Sequence, residues 1–178
     1  MTDQTSKKLL GLRVDEHDSN ISYFDGNKVY YLKSERLYNA YDNLWEWKKD
    51  IKKIFGIDEK DIDEIAIVLD PWRNKLPMDN EEFYPAIEYE HIPTKNKVWR
   101  VNHHLAHALS CWPLYKKRPE YEIVIDGFGD ANNAWTVIKK DKIFKRGHTH
   151  KNGSLGLSMS ETAKWLNIKN DYGSAGKL

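Results

Sequence analysis

The spacing of apolar residues divides the chain into short runs with a period of two and longer runs with the helical period. Residues 9–14 and 21–24 are apolar-rich strands, separated by the polar turn Asp15-Glu16-His17-Asp18-Ser19-Asn20. Asp25-Gly26-Asn27 predicts a hairpin, because Asp-Gly supplies the positive φ that tight turns require, and residues 28–32 make the third strand. In residues 44–55, Leu44, Trp47, Ile51 and Ile54 recur at helical spacing, and Gly56 stops the helix. Residues 63–69 form a buried strand ending at Asp70-Pro71, whereas residues 71–97 carry prolines and charges with weak periodicity and predict loop with short elements. Residues 97–101 are a short strand leading into a helix that holds several histidines. Residues 121–126, 134–140 and 142–146 are further strands, and residues 155–166 a last helix with Ser154 as its N-cap. Three strands followed by helix–strand alternation predict an α/β fold: a mixed sheet with helices on its faces.

Composition narrows the class. At 178 residues the length suits about one domain, and 31% charged with 40% hydrophobic residues reads as a soluble globular chain. The formal net charge of +1 provides no global field for nucleic acid or anionic membrane, and the small lysine clusters read as solvated surface. No apolar run is long enough to span a bilayer, and residues 1–8 lack the apolar core of a signal peptide. Cys111 is the one cysteine, which excludes an internal disulfide and fits a reducing cytoplasm; a small residue on a helix explains it better than a nucleophile. The sequence contains no visible internal repeat.

Two segments carry candidate chemistry. In Val101-Asn102-His103-His104-Leu105-Ala106-His107-Ala108, His103 and His107 are spaced i, i+4, so both imidazoles project from one helix face. Leu105, Leu109 and Trp112 form a separate stripe that predicts the core face. Two neutral imidazoles so placed can share a divalent metal, and Asp126, at the end of the strand Glu122-Ile123-Val124-Ile125-Asp126, supplies a third ligand. The spacing also fits the His-Glu-x-x-His pattern of zinc proteases, but His104 stands where that pattern needs its glutamate base. The glycines of Asp126-Gly127-Phe128-Gly129-Asp130 would allow positive φ and close backbone approach to a phosphate. The polar turn at His17, Asp18 and Ser19 offers a second phosphate-binding candidate.

Together these segments resemble the O-carbamoyltransferase family, of the nodulation protein U and cephalosporin or tobramycin carbamoyltransferase type. The resemblance rests on His17-Asp18-Ser19 in the first turn, Ser34-Glu35-Arg36-Leu37, the His-His-x-Ala-His-Ala segment at 103–108, the Asp-Gly-x-Gly segment at 126–129, Ser154-Leu155-Gly156-Leu157 and the residues from Gly173 to Leu178. The histidine and Asp-Gly blocks are its specific part, and the order of blocks is kept across nearly the whole chain. Where the family commonly has a lysine shortly after Glu-Arg, this chain has Tyr38-Asn39-Ala40-Tyr41.

The resemblance implies a ribonuclease-H-like, actin-like ATPase lobe with a mixed sheet and helices on its faces. It implies an ATP- and metal-dependent enzyme that moves a carbamoyl group from carbamoyl phosphate, through carbamoyl-adenylate, to a hydroxyl acceptor. His103, His107 and Asp126 would hold iron or another divalent ion; Asp18, Ser19, Glu35, Arg36, Gly127, Gly129 and Asp130 would line the nucleotide and carbamoyl phosphate; His17 and His104 would act on substrate. The acceptor would be the hydroxyl of a small molecule or of a nucleobase. Residues 1–178 would be the N-terminal lobe, with a second lobe and a C-terminal domain absent, in cis or as a separate polypeptide. By that expectation the isolated chain neither forms carbamoyl-adenylate nor hydrolyses ATP, since one lobe offers half a site. The rival readings are a non-catalytic half of a split enzyme or binding module, and a ribonuclease-H-like metallohydrolase using Asp126 and Asp130.

Overall fold

The computed structural model describes residues 7–13, 19–33, 46–68, 87–88, 94–115, 117–139, 142–149 and 153–168. They fall into two compact units, one drawn from residues 1–69 and 86–101, the other from residue 102 onward.

The first unit is built on a six-stranded mixed sheet whose strands, in spatial order, are residues 29–33, 20–24, 9–13, 64–68, 97–100 and 87–88. Strands β1 (Leu9–Arg13), β2 (Asn20–Phe24) and β3 (Val29–Lys33) form an antiparallel meander. Strand β4 (Glu64–Val68) lies parallel to β1, β6 (Lys97–Arg100) parallel to β4, and the two-residue β5 (Ile87–Glu88) antiparallel to β6. The β2–β3 hairpin turns at Gly26, with φ 100°, and the Asp25 carboxylate accepts the backbone N–H groups of Asn27 and Lys28. Alternation within each strand sends one set of residues inward. Tyr23, Leu10, Ile65 and Val98 line up across neighbouring strands as one buried row, and Ile21, Leu12 and Ile67 as the next.

Helix α1 (Trp47–Phe55) covers this core with Trp47 and Ile51, and Phe55 packs at its margin. Ile54, expected in that stripe, is half-buried, and Leu44 lies outside the described residues. Gly56 closes α1 in the left-handed conformation, φ 70°; its N–H reaches Lys52 O while the Ile57 N–H reaches Ile51 O. That pair of bonds satisfies carbonyls the helix itself leaves open.

The second unit has a sheet of its own, a three-stranded antiparallel meander of β7 (Tyr121–Gly129), β8 (Asn133–Lys139) and β9 (Lys142–His148). The element pattern predicts one mixed sheet, but only the first six strands are so joined. Helices α2 (His103–Cys111) and α3 (Leu155–Trp165) pack on β7. One side of the meander is buried through Val124, Ala134, Thr136 and Ile138, while Tyr121, Ile123 and Ile125 point the other way and stay exposed.

Strand β7 does not stop at Asp126. It runs on to Gly129 through a bulge: Ile125 pairs with Trp135 and Gly129 with Asn133, so four steps on β7 face two on β8. A bulge re-aims side chains out of strict alternation, and this one falls on the Asp-Gly-Phe-Gly segment.

Candidate metal centre

Helix α2 starts where its own sequence provides a cap. Asn102 is extended, φ −60° and ψ 139°, and its Oδ1 accepts the Leu105 N–H at 3.1 Å. A second acceptor comes from the meander: the Asp130 carboxylate takes the His103 N–H at 2.7 Å. Both acceptors occupy N–H groups that a helix start leaves without intrahelical partners.

The helix then buries a different stripe from the one expected. His104, Leu105 and Ala108 are its core face, while Leu109 and Trp112 are only half-buried. The imidazole can be buried because it is partly satisfied: His104 Nδ1 and Thr136 Oγ1 hydrogen-bond at 2.6 Å. Burial, reinforced by the nearby His103, pushes the His104 pKa down to about 4, so the ring is neutral at neutral pH. Trp112, displaced from the core stripe, donates its Nε1–H to Glu122 at 2.6 Å and lies under the Arg118 guanidinium.

With that stripe inward, His103 and His107 point together along the adjacent face. His103 Nε2 lies 2.6 Å from Asp126 Oδ2, His107 Nε2 lies 3.5 Å from the same oxygen, and the two Nε2 atoms are 3.1 Å apart. The other Asp126 oxygen accepts its neighbour's N–H, from Gly127, at 2.6 Å. The side chains grade from 12% exposed at His103 through 27% at Asp126 to 55% at His107, so the cluster opens to solvent on the His107 side. Burial raises the Asp126 pKa, but the bonds from both histidines, the His103 charge and the Gly127 N–H outweigh it. They hold the carboxyl well below the usual carboxylate range.

Three ligand atoms about 2.0–2.1 Å from one ion are about 2.8–3.0 Å apart in octahedral and about 3.3–3.4 Å apart in tetrahedral arrangements. Two of the three edges here are near these spans, and the His103–Asp126 edge needs to open by a few tenths of an ångström. Two imidazoles and a carboxylate form a donor set used for zinc and for ferrous iron with open positions. One feature opposes binding. His103 Nδ1 is buried with no partner among the described residues, so a cation on Nε2 would leave an unsatisfied Nδ1–H. That costs on the order of 1–3 kcal/mol and lowers the affinity.

The glycines serve packing within the unit. Neither Gly127 nor Gly129 has positive φ. A Cβ on Gly129 would sit 2.3 Å from His104 Nε2, and a Cβ on Gly156 would sit 2.7 Å from Gly127 Cα. Ser154 caps α3, accepting the Leu157 N–H at 3.3 Å, and donates to the carbonyls of Asp126 and Gly127 at 3.3 and 2.8 Å. The start of α3 is thereby fastened to the bulge that carries Asp126.

Of the other residues expected in a site, His104 is 2% exposed and enclosed between Thr136 and Gly129, away from any substrate at the surface. Asp130 is equally buried and turned to the helix start rather than toward Asp126, so the two carboxylates do not form the two-metal pair of a ribonuclease-H-like hydrolase. Ser19 is buried at the start of β2 in the first unit. His17, Asp18, Glu35 and Arg36 lie outside the described residues. Thr136 carries no sign in the sequence of its support for the site, and Ser154 carries only those of a helix cap and of the Ser-Leu-Gly segment.

No family model matches the chain, and no curated protein matches it significantly. No helix among the described residues is long and apolar enough to cross a membrane.

Proposed function

We infer that the chain is the N-terminal part of an ATP- and metal-dependent O-carbamoyltransferase, working in the cytoplasm. The observation that carries this reading is the meeting of His103 Nε2, His107 Nε2 and Asp126 Oδ2, brought from two separate motifs to one point. The first sheet adds support: an antiparallel β3-β2-β1 meander continued by parallel β4 and β6 is the order of a ribonuclease-H-like lobe.

In this reading His103, His107 and Asp126 hold iron or another divalent ion. A bound ion supplies Lewis acidity and a template for phosphate and carbamoyl oxygens. The protein's own part is positional: α2 presents two imidazoles in one rotational register, the β7 bulge aims the carboxylate at them, and Ser154 keeps the bulge fixed. The half-exposed His107 leaves the open side of the cluster toward ATP, carbamoyl phosphate and a hydroxyl acceptor, either a small molecule or a nucleobase. A further polypeptide segment, in cis or in trans, completes the site.

Calorimetric titration with Co²⁺, Zn²⁺ and Fe²⁺ under anaerobic conditions tests the reading. One ion per chain is expected, and replacing His103 or His107 by Ala should abolish tight binding without loss of the circular-dichroism signal. A wild-type chain that binds none of the three ions overturns the reading.

A further inference from the structure

Asp130 has a placement that the metal reading leaves unused. It follows the β7 bulge, four residues after Asp126, and it is 2% exposed. Its Oδ2 accepts the His103 backbone N–H at 2.7 Å, while Asp126 Oδ2 takes the ring Nε2 of the same residue at 2.6 Å. One short segment therefore grips His103 at both ends. The helix has no acidic residue in its own first turn, so the carboxylate at its start comes from this segment. Asp130 is itself held, because the Asn133 side-chain amide donates to its backbone carbonyl at 2.9 Å.

We propose that Asp130 is a positioning residue for the histidine pair, acting on His103 through the main chain while Asp126 acts through the ring; the consequence for metal affinity rests on the reading above. At the start of the nine-residue helix α2 the Asn102 side chain holds the Leu105 N–H, and Asp130 holds the His103 N–H. A rotation of this first turn moves the His103 ring away from Asp126 and His107 together. Outer partners of metal-binding side chains typically change affinity by about 10–100-fold.

The test uses Asp130→Ala, Asp130→Asn, which keeps an acceptor oxygen, and Ile138→Val as a control for general destabilisation of the same sheet. Two readouts are taken on the 178-residue chain. One is the His103 imidazole ¹⁵N–¹H signal of the metal-free protein. The other is Co²⁺ affinity with its visible spectrum. Asp130→Ala is expected to move the imidazole signal, alter the Co²⁺ bands and weaken Co²⁺ binding about 10–100-fold. Asp130→Asn should restore most of each, and Ile138→Val should leave all of them in place. Should Asp130→Ala not fold, Asp130→Ser, whose hydroxyl is too short to reach the helix, takes its place. Unchanged affinity and signal in Asp130→Ala overturn the proposal, as do equal losses in Ile138→Val or no recovery in Asp130→Asn. If the wild-type chain binds no Co²⁺, affinity is read with whichever of Zn²⁺ and Fe²⁺ it binds; if it binds none of the three, the metal reading fails and the imidazole signal alone decides. A signal moved by Ala and restored by Asn upholds Asp130 as the positioning group, and an unmoved one overturns it.

Discussion

Each unit contains an antiparallel meander of three strands with a helix later in the chain, yet the two fill their interiors differently. In the first unit the core is almost wholly apolar: Leu10, Leu12, Ile21, Tyr23, Trp47, Ile51, Ile62, Ile65, Ile67 and Val98. In the second, Leu105, Ala108, Val124, Ala134, Ile138 and Ala163 share the interior with His104, Glu122, Asp130, Asn133, Thr136, Thr149 and Ser154. Buried polar groups cost free energy unless they are paired, and most of these have partners that lead to the histidine cluster. Thr136 holds His104, Asp130 holds the start of α2, and Ser154 holds the backbone of Asp126. The first unit's interior thus serves stability, and part of the second unit's interior holds the His103, His107 and Asp126 cluster in place.

The largest test of that contrast is Ile67→Ala, which removes a side chain buried between β1 and β6. A loss of about 2–5 kcal/mol is expected, read as faster hydrogen exchange of the β1 and β4 amides. Exchange no faster than wild type would break the contrast.

A loss of the order of 3 kcal/mol is expected in the second unit from acid alone. Folded His104 has a pKa of about 4 against an ordinary 6.5, so between those values the unfolded chain binds a proton that the folded one does not. Its contribution is complete above pH 6.5 and is lost as the pH falls toward 4. The charged and titratable groups beside it are His103, Asp126 and His107. Exchange of β8 amides measured from pH 7 to 4, corrected for intrinsic rates, should show this decline, and His104→Leu should flatten it. A decline of equal slope in His104→Leu would assign the acid sensitivity elsewhere. Among the described residues the first unit has no histidine, so no comparable slope is expected there.

The smallest effect is expected for Ser154→Ala. Loss of the cap costs about 1 kcal/mol, and the Asp126 and Gly127 carbonyls lose a donor. Thermal unfolding should shift by a few degrees, and exchange of the α3 first-turn amides should rise. A cap that matters only to α3 would leave the His103 imidazole signal unmoved; a cap that also fixes the bulge would move it.

The sequence by itself determined the elements and the pairing of the two histidines. Period-two alternation in β1, β2 and β4, Asp-Gly at the hairpin, Gly56 at the end of α1 and Ser154 at the start of α3 are local signals, set by backbone sterics and nearby hydrogen bonds. The spacing of four between His103 and His107 fixes their common face in any helix. Tertiary structure decided what local spacing cannot encode. Which stripe of α2 faces inward depended on Thr136, more than thirty residues away, meeting His104 and making an imidazole affordable in the core where Leu109 was expected. The bulge depended on the register of β7 against β8, and it aimed Asp126 at the histidines while sending Asp130 to the helix start. Gly127 and Gly129 read as phosphate-binding glycines in one dimension; in three they make room for Gly156 and the His104 ring. Separate sheets arose because β7 paired with β8 instead of extending the first sheet, a choice among distant edges on which the alternation within a strand is silent.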